Sequence, residues 1–124
     1  MRVLFVCGSR DRHPHADIRE IIKSFDPDYV MHGGARGTDK AAHDCALDAG
    51  RQPIRLDANW DVHERSAGPI RNGAMANMLV ALRGGGWTIA CHAFPGDGPG
   101  TKDMMKCLDA RGISVIVHPP KGES

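Results

Sequence analysis

A chain of 124 residues, 41% apolar and 25% charged, is long enough to bury one core and reads as a single globular domain. Its formal net charge of +1 leaves no broad basic field to hold nucleic acid by counterion release, and an aromatic content of 5% leaves few platforms for stacking single strands. No apolar run approaches the roughly 20 residues that cross a bilayer, and the opening run Met1 to Cys7 is too short for a secretory signal, so a cytoplasmic protein without membrane contact is expected.

Arg2 to Cys7 is a continuous apolar run rich in Val, Leu and Phe, the pattern of a strand buried on both faces of a parallel sheet. Gly8-Ser9-Arg10 ends it. Ile18, Ile21, Ile22 and Phe25 then mark an amphipathic helix that closes near Asp26-Pro27, and Tyr29-Val30-Met31 forms a second strand. The stretch from His32 to His43 is a glycine-rich turn opening a helix, because Ala41, Ala42, Cys45, Ala46 and Ala49 recur at helical spacing. Gly50 stops that helix, and Gln52 to Leu56 reads as a short third strand, placed near an edge by Pro53. Asp57 to Pro69 has no periodicity and reads as a mobile surface loop or a lid over a ligand. Pro69 suits the first turn of a helix whose stripe is Ile70, Met75, Met78, Leu79 and Leu82 and which ends at Gly84-Gly85-Gly86. A fourth strand, Thr88 to Phe94, runs into a second glycine-rich loop, Pro95 to Thr101. A helix from Lys102 to Ala110 follows, with Met104, Met105 and Leu108 inward, then a strand from Ile113 to Val117. Residues 119–124 are expected to be a disordered tail on a domain of residues 1–118.

Strands alternating with helices at this spacing predict an α/β fold with an open parallel sheet of about five strands and helices on both faces. The strand-to-helix loops at Gly8, Gly33 and Gly96 then share one rim, beside the crevice where such sheets take ligands. Gly33, Gly34 and Gly37 let a guest approach the main chain, and the first N–H groups of the following helix point at it, a cradle for a phosphate. In the alternative, Thr38 or Asp39 caps the helix and the loop is only a connection. Arg10, Arg36 and Arg71 are the cations suited to a phosphate, or else to surface carboxylates. Thr38 and Thr101 hold matching places at two helix starts. Asn72 either reads a base or ribose edge or ties down the 57–69 segment, and Trp60 either stacks on a base or covers the sheet edge. Asp39 and Asp103 serve as a base, a ribose anchor or helix-dipole partners, and His43 as a packed histidine bonded to a neighbour. Cys7, Cys45, Cys91 and Cys107 form no CxxC, and the histidines show no HExxH spacing, so buried thiols and no metal site are expected.

Gly8-Ser9-Arg10, Gly33 to Asp39 with Ala42-His43, Ala67 to Asn72, and Phe94-Pro95-Gly96 with Gly98 to Thr101 together resemble the small phage and bacterial YspA-type members of the SLOG superfamily, in order along nearly the whole chain. The resemblance implies a Rossmann-like fold that binds a nucleotide or nucleotide-derived ligand. It implies contacts from Gly8, Ser9, Arg10, Gly33, Gly34, Arg36 and Gly37, and from Thr38, Arg71, Asn72, Gly96, Gly98, Gly100 and Thr101. The superfamily also holds the Lonely Guy phosphoribohydrolases, whose PGGxGTxxE loop carries a catalytic glutamate. That place falls here on Met104, which cannot transfer a proton, and Asp103 would face about 100° away. The segment Gly34 to Leu47 and the pair Arg71-Asn72 also resemble DNA-processing protein A. A sensor or sequestering module is therefore expected, with hydrolysis of a nucleotide N-glycosidic bond and single-strand binding as alternatives. No further cofactor is implied, and a homo-oligomer is compatible with the exposed helix faces of so small a sheet.

Overall fold

The run of Val3, Leu4, Phe5 and Val6 is buried completely, which puts their strand, β1 (Arg2–Gly8), at the centre of the sheet with both faces covered. The computed structural model describes residues 1–120. After β1 come α1 (His15–Phe25), β2 (Tyr29–His32), α2 (Thr38–Asp48), β3 (Gln52–Arg55), α3 (Trp60–His63), α4 (Ala67–Gly84), β4 (Thr88–Phe94), α5 (Pro99–Ala110) and β5 (Ile116–Val117). The strands lie in the order β3-β2-β1-β4-β5, every pair parallel, with β3 at an edge as Pro53 requires. This is the open parallel α/β sheet that the alternating pattern predicts, of the Rossmann-like kind.

Alternation along β1 sorts the side chains into two cores. Leu4 and Val6 join Val30 beneath Ile18 and Ile22 of α1 and the small face of α2, made by Ala41, Ala42, Cys45 and Ala46. Val3, Phe5 and Cys7 point the other way, to Met75 and Leu79 of α4 and Met104 and Leu108 of α5. Winding reverses at β1, which has β2 on one side and β4 on the other. The carboxyl ends of β1 and β4 therefore flank the switch point, where a crevice opens.

Four elements differ from the sequence reading. Residues 57–69 are not one long loop: α3 and a 3-10 turn at Glu64–Ser66 lead directly into α4, which starts at Ala67. In that longer α4 the inward residues are Met75, Ala76 and Leu79, while Ile70 and Met78 face outward, 49% and 36% exposed. Helix α5 begins at Pro99, three residues before the expected Lys102, because a proline at the first helical position gives up an N–H that has no helical partner anyway. Ile113 is buried and its N–H bonds the Leu108 carbonyl at the end of α5, so β5 pairs only from Ile116. Of the expected tail, Pro119 accepts a bond from Arg12 Nη2 at 3.4 Å, and residues 121–124 lie outside the described residues. Among the described residues no helix is long and apolar enough to cross a membrane.

Candidate functional site

The glycine-rich turn after β2 uses its own amides. Gly34 N–H donates to His32 Nδ1 at 3.0 Å, Ala35 N–H to Asp39 Oδ2 at 3.2 Å, and Thr38 N–H to the Ser9 carbonyl at 3.1 Å. Because His32 Nδ1 accepts, its proton sits on Nε2 and is donated to His43 Nδ1, 2.9 Å away, the packed pairing expected of His43. Burial and the neighbouring His43 and Arg55 lower the His32 pKa to about 4, which keeps this tautomer neutral. Thr38 is fully buried and turns its hydroxyl to the Ser9 carbonyl at 2.9 Å, so it neither caps α2 nor faces a guest. The expected anion cradle at the start of α2 is thus corrected: the protein's own acceptors fill it, and the Asp39 carboxyl brings negative charge there.

The three expected loops nevertheless converge. Ser9 N–H bonds the Phe94 carbonyl at 2.8 Å, a Cβ on Gly96 would stand 2.6 Å from Ser9 Oγ, and one on Gly8 would stand 2.5 Å from Thr38 Oγ1. Gly37 has φ +75° and abuts the Arg10 backbone, so only glycine closes this turn against the first loop. Gly8 and Gly37 thus serve loop packing. Between the loops lies a cleft of about 570 Å³, within the range of small-molecule sites. Its polar wall includes Ser9, Arg10, Asp39, Arg71, Asn72 and Asp103, and its apolar wall Cys7, Trp60, Met75 and Met104. A neighbouring hollow of about 420 Å³ shares Arg10, Gly33, Arg36, Trp60 and Arg71 and adds Gly34, Arg55 and Asp57. Trp60 is 49% exposed and stands at the mouth of both, rather than covering the sheet edge.

Arg71 is held firmly in place. Its Nη1 donates to the Gly33 carbonyl and, at 3.4 Å, to that of Leu56, while Nε donates to Asn72 Oδ1 at 3.2 Å. Burial lowers its pKa, but a guanidinium stays charged, so Arg71 places a fixed cation in the cleft floor. Arg36 instead meets Asp11 at 3.7 Å with both side chains largely exposed, the surface pairing, while still lining the rim. Asn72 does not tie down the 57–69 segment. Its Nδ2 donates to Asp103 Oδ2 at 2.9 Å and to the Gly100 carbonyl at 3.3 Å, which clamps α4 to the first turns of α5. Asp103, about 100° round α5 from Met104 as expected of neighbours in a helix, lines the cleft as well.

Asp39 is 6% exposed and its Oδ1 is sealed from solvent. Burial pushes its pKa up to about 6, against the pull of the Ala35 and Gly33 amides and the Arg71 and Arg10 guanidiniums. Burial likewise pushes the Cys7 thiol far up, so it stays protonated and inert in the floor. The start of α5 contrasts with that of α2. Neither start has a side-chain cap, but the first turn of α5 has no acidic residue where α2 has Asp39, and a Cβ on Gly98 or Gly100 would meet nothing within 4 Å. Gly98, Gly100 and Thr101 all line the cleft, so this helix start is open to an anion. Arg65 and Cys7 also line the cleft and carry no motif that would single them out beforehand.

Sheet order and cleft position define a doubly wound, Rossmann-like α/β protein with its cavity at the topological switch point. No protein-family model matches the chain. The Gene 61 protein of Mycobacterium phage D29 is 33% identical to it over 93 residues, a match covering 70% of this chain and 68% of that protein. The chain belongs to the family of that phage protein.

Proposed function

We propose that the protein binds a nucleotide-derived ligand in the cleft, with the phosphate at the N-terminus of α5, the arginine-rich rim beside it, and the base toward Trp60. The carrying observation is the uncapped start of α5 opening into a cavity of about 570 Å³ that Arg10, Arg36, Arg65 and Arg71 also line. The resemblance to the YspA-type SLOG proteins supports the same ligand class. Met104, at the place of the Lonely Guy glutamate, is 1% exposed and cannot move a proton, which favours a sensing or sequestering role over turnover. Calorimetric titration of AMP and ADP-ribose tests this reading against Gly98→Asp, which puts a carboxylate at the anion position. Saturable binding to the wild type, weakened at least tenfold in the variant, is expected. Equal affinities, or none, would refute the reading.

One observation favours a second reading, hydrolysis of a nucleotide N-glycosidic bond. Both Asp39 and Asp103 line the cleft, offering two carboxyls in different environments. Chromatography for free base after long incubation with nucleoside monophosphates separates the two readings, and the binding reading expects intact nucleotide.

A further inference from the structure

We propose that the hollow beside the cleft is a second anion subsite, so that the ligand is a nucleotide with two separate phosphates, one at the start of α5 and one between Arg55 and Arg71. This rests on the nucleotide-binding reading and names the part of the ligand that the cleft alone does not hold. Among the described residues the hollow, about 420 Å³, has five charged lining residues: Arg10, Arg36, Arg55, Arg71 and Asp57. Four are cations in a chain whose formal net charge is +1, so positive charge is gathered here rather than spread. Carboxylates answer it only in part. Asp57 takes Arg55 Nε at 2.8 Å, while Asp11 meets Arg36 at 3.7 Å and Asp39 acts on Arg71 and Arg10, both from the cleft side. Two glycines of the turn after β2 seat two of the guanidiniums on the main chain. A Cβ on Gly33 would run into Arg71 Nη1, and one on Gly34 into Asp57 Oδ1 and to 2.7 Å from Arg55 Nε. Among the described residues Arg55 hydrogen-bonds only through Nε, and Arg71 through Nε and Nη1, which leaves both Nη groups of Arg55 and Nη2 of Arg71 as donors. A guanidinium only donates, so the guest must accept, and a phosphate does so with opposite charge. Arg10, Trp60 and Arg71 line the cleft and the hollow alike, so one ligand reaches from the first into the second.

The test is a calorimetric comparison, at one ionic strength, of AMP with adenosine 3′,5′-bisphosphate, which adds a second phosphate to the same nucleotide. Wild-type protein should bind the bisphosphate about tenfold tighter or more. Arg55 lines the hollow and not the cleft, so Arg55→Gln should bring the two affinities together. Arg83→Gln removes the same charge at the far end of α4 and should keep the wild-type preference. A preference retained in Arg55→Gln, or lost in Arg83→Gln as well, overturns the subsite. Should Arg55→Gln fail to fold, the wild type alone decides: equal affinities for the two nucleotides overturn the proposal, and saturable AMP binding then leaves the reading beneath it standing. Absence of binding by both nucleotides overturns the two together.

Discussion

Asp39 and His32 flank the turn after β2, and burial shifts their pKa values in opposite directions. The native pKa of Asp39 is raised from 3.8 to about 6, so its contribution to stability is full below about pH 3.8 and is lost as pH rises through about 6. His32 and His92 are lowered from 6.5 to about 4, so theirs is full above about pH 6.5 and is lost as pH falls through about 4. Between pH 6 and pH 4 the carboxyl therefore partly offsets what the imidazoles lose. Asp39→Asn should lose stability more steeply than wild type across that window in urea titrations. An unchanged slope would mean that Asp39 titrates in the native state as it does unfolded. The hydrogen bonds at His32 make a separate prediction: long-range nitrogen–proton spectra at neutral pH should show its Nε2–H tautomer, and an Nδ1–H signal would contradict the Gly34 bond.

At the scale of elements, two helix starts with similar glycine-rich approaches have opposite fates. Gly37 ends its loop at φ +75° against the Arg10 backbone, so Gly37→Ala should destabilise the fold by about 2 kcal/mol or more. Gly98 has an extended backbone and open space around it, so Gly98→Asp should be neutral or stabilising by a few tenths of a kcal/mol while it blocks the proposed anion position. Thermal melts of both variants check this contrast, and comparable destabilisation by the two would contradict it. The presence of both loops was legible from the runs Gly33–Gly37 and Gly96–Gly100. Which of them is open was not, because the amides of the first are taken by His32, Asp39 and Ser9, partners chosen by tertiary placement. The same limit hid α3, whose single turn is too short to show a period, and the early start of α5, where Gly100 and Pro99 mask a helix as a loop.

For the whole molecule, the sheet follows directly from the chain: Val3 to Val6 demand cover on both faces, and each later strand alternates with a helix. The parallel order then brings loops from residues 8–12, 33–37 and 95–101 to one rim without any of them being specific to a ligand. What the rim adds is a division of charge. Asp39 occupies the start of α2, the start of α5 is left bare, and Arg71 is fixed between the elements that carry them. On the proposed reading, that division makes α5 the end of the cleft that receives an anion. Backbone amide spectra recorded during titration with AMP test it most directly. Gly100 and Thr101 should shift furthest, with Gly34, Ala35 and Thr38 little changed; largest shifts at Gly34, Ala35 and Thr38, or no shift at Gly100 and Thr101, would contradict the account.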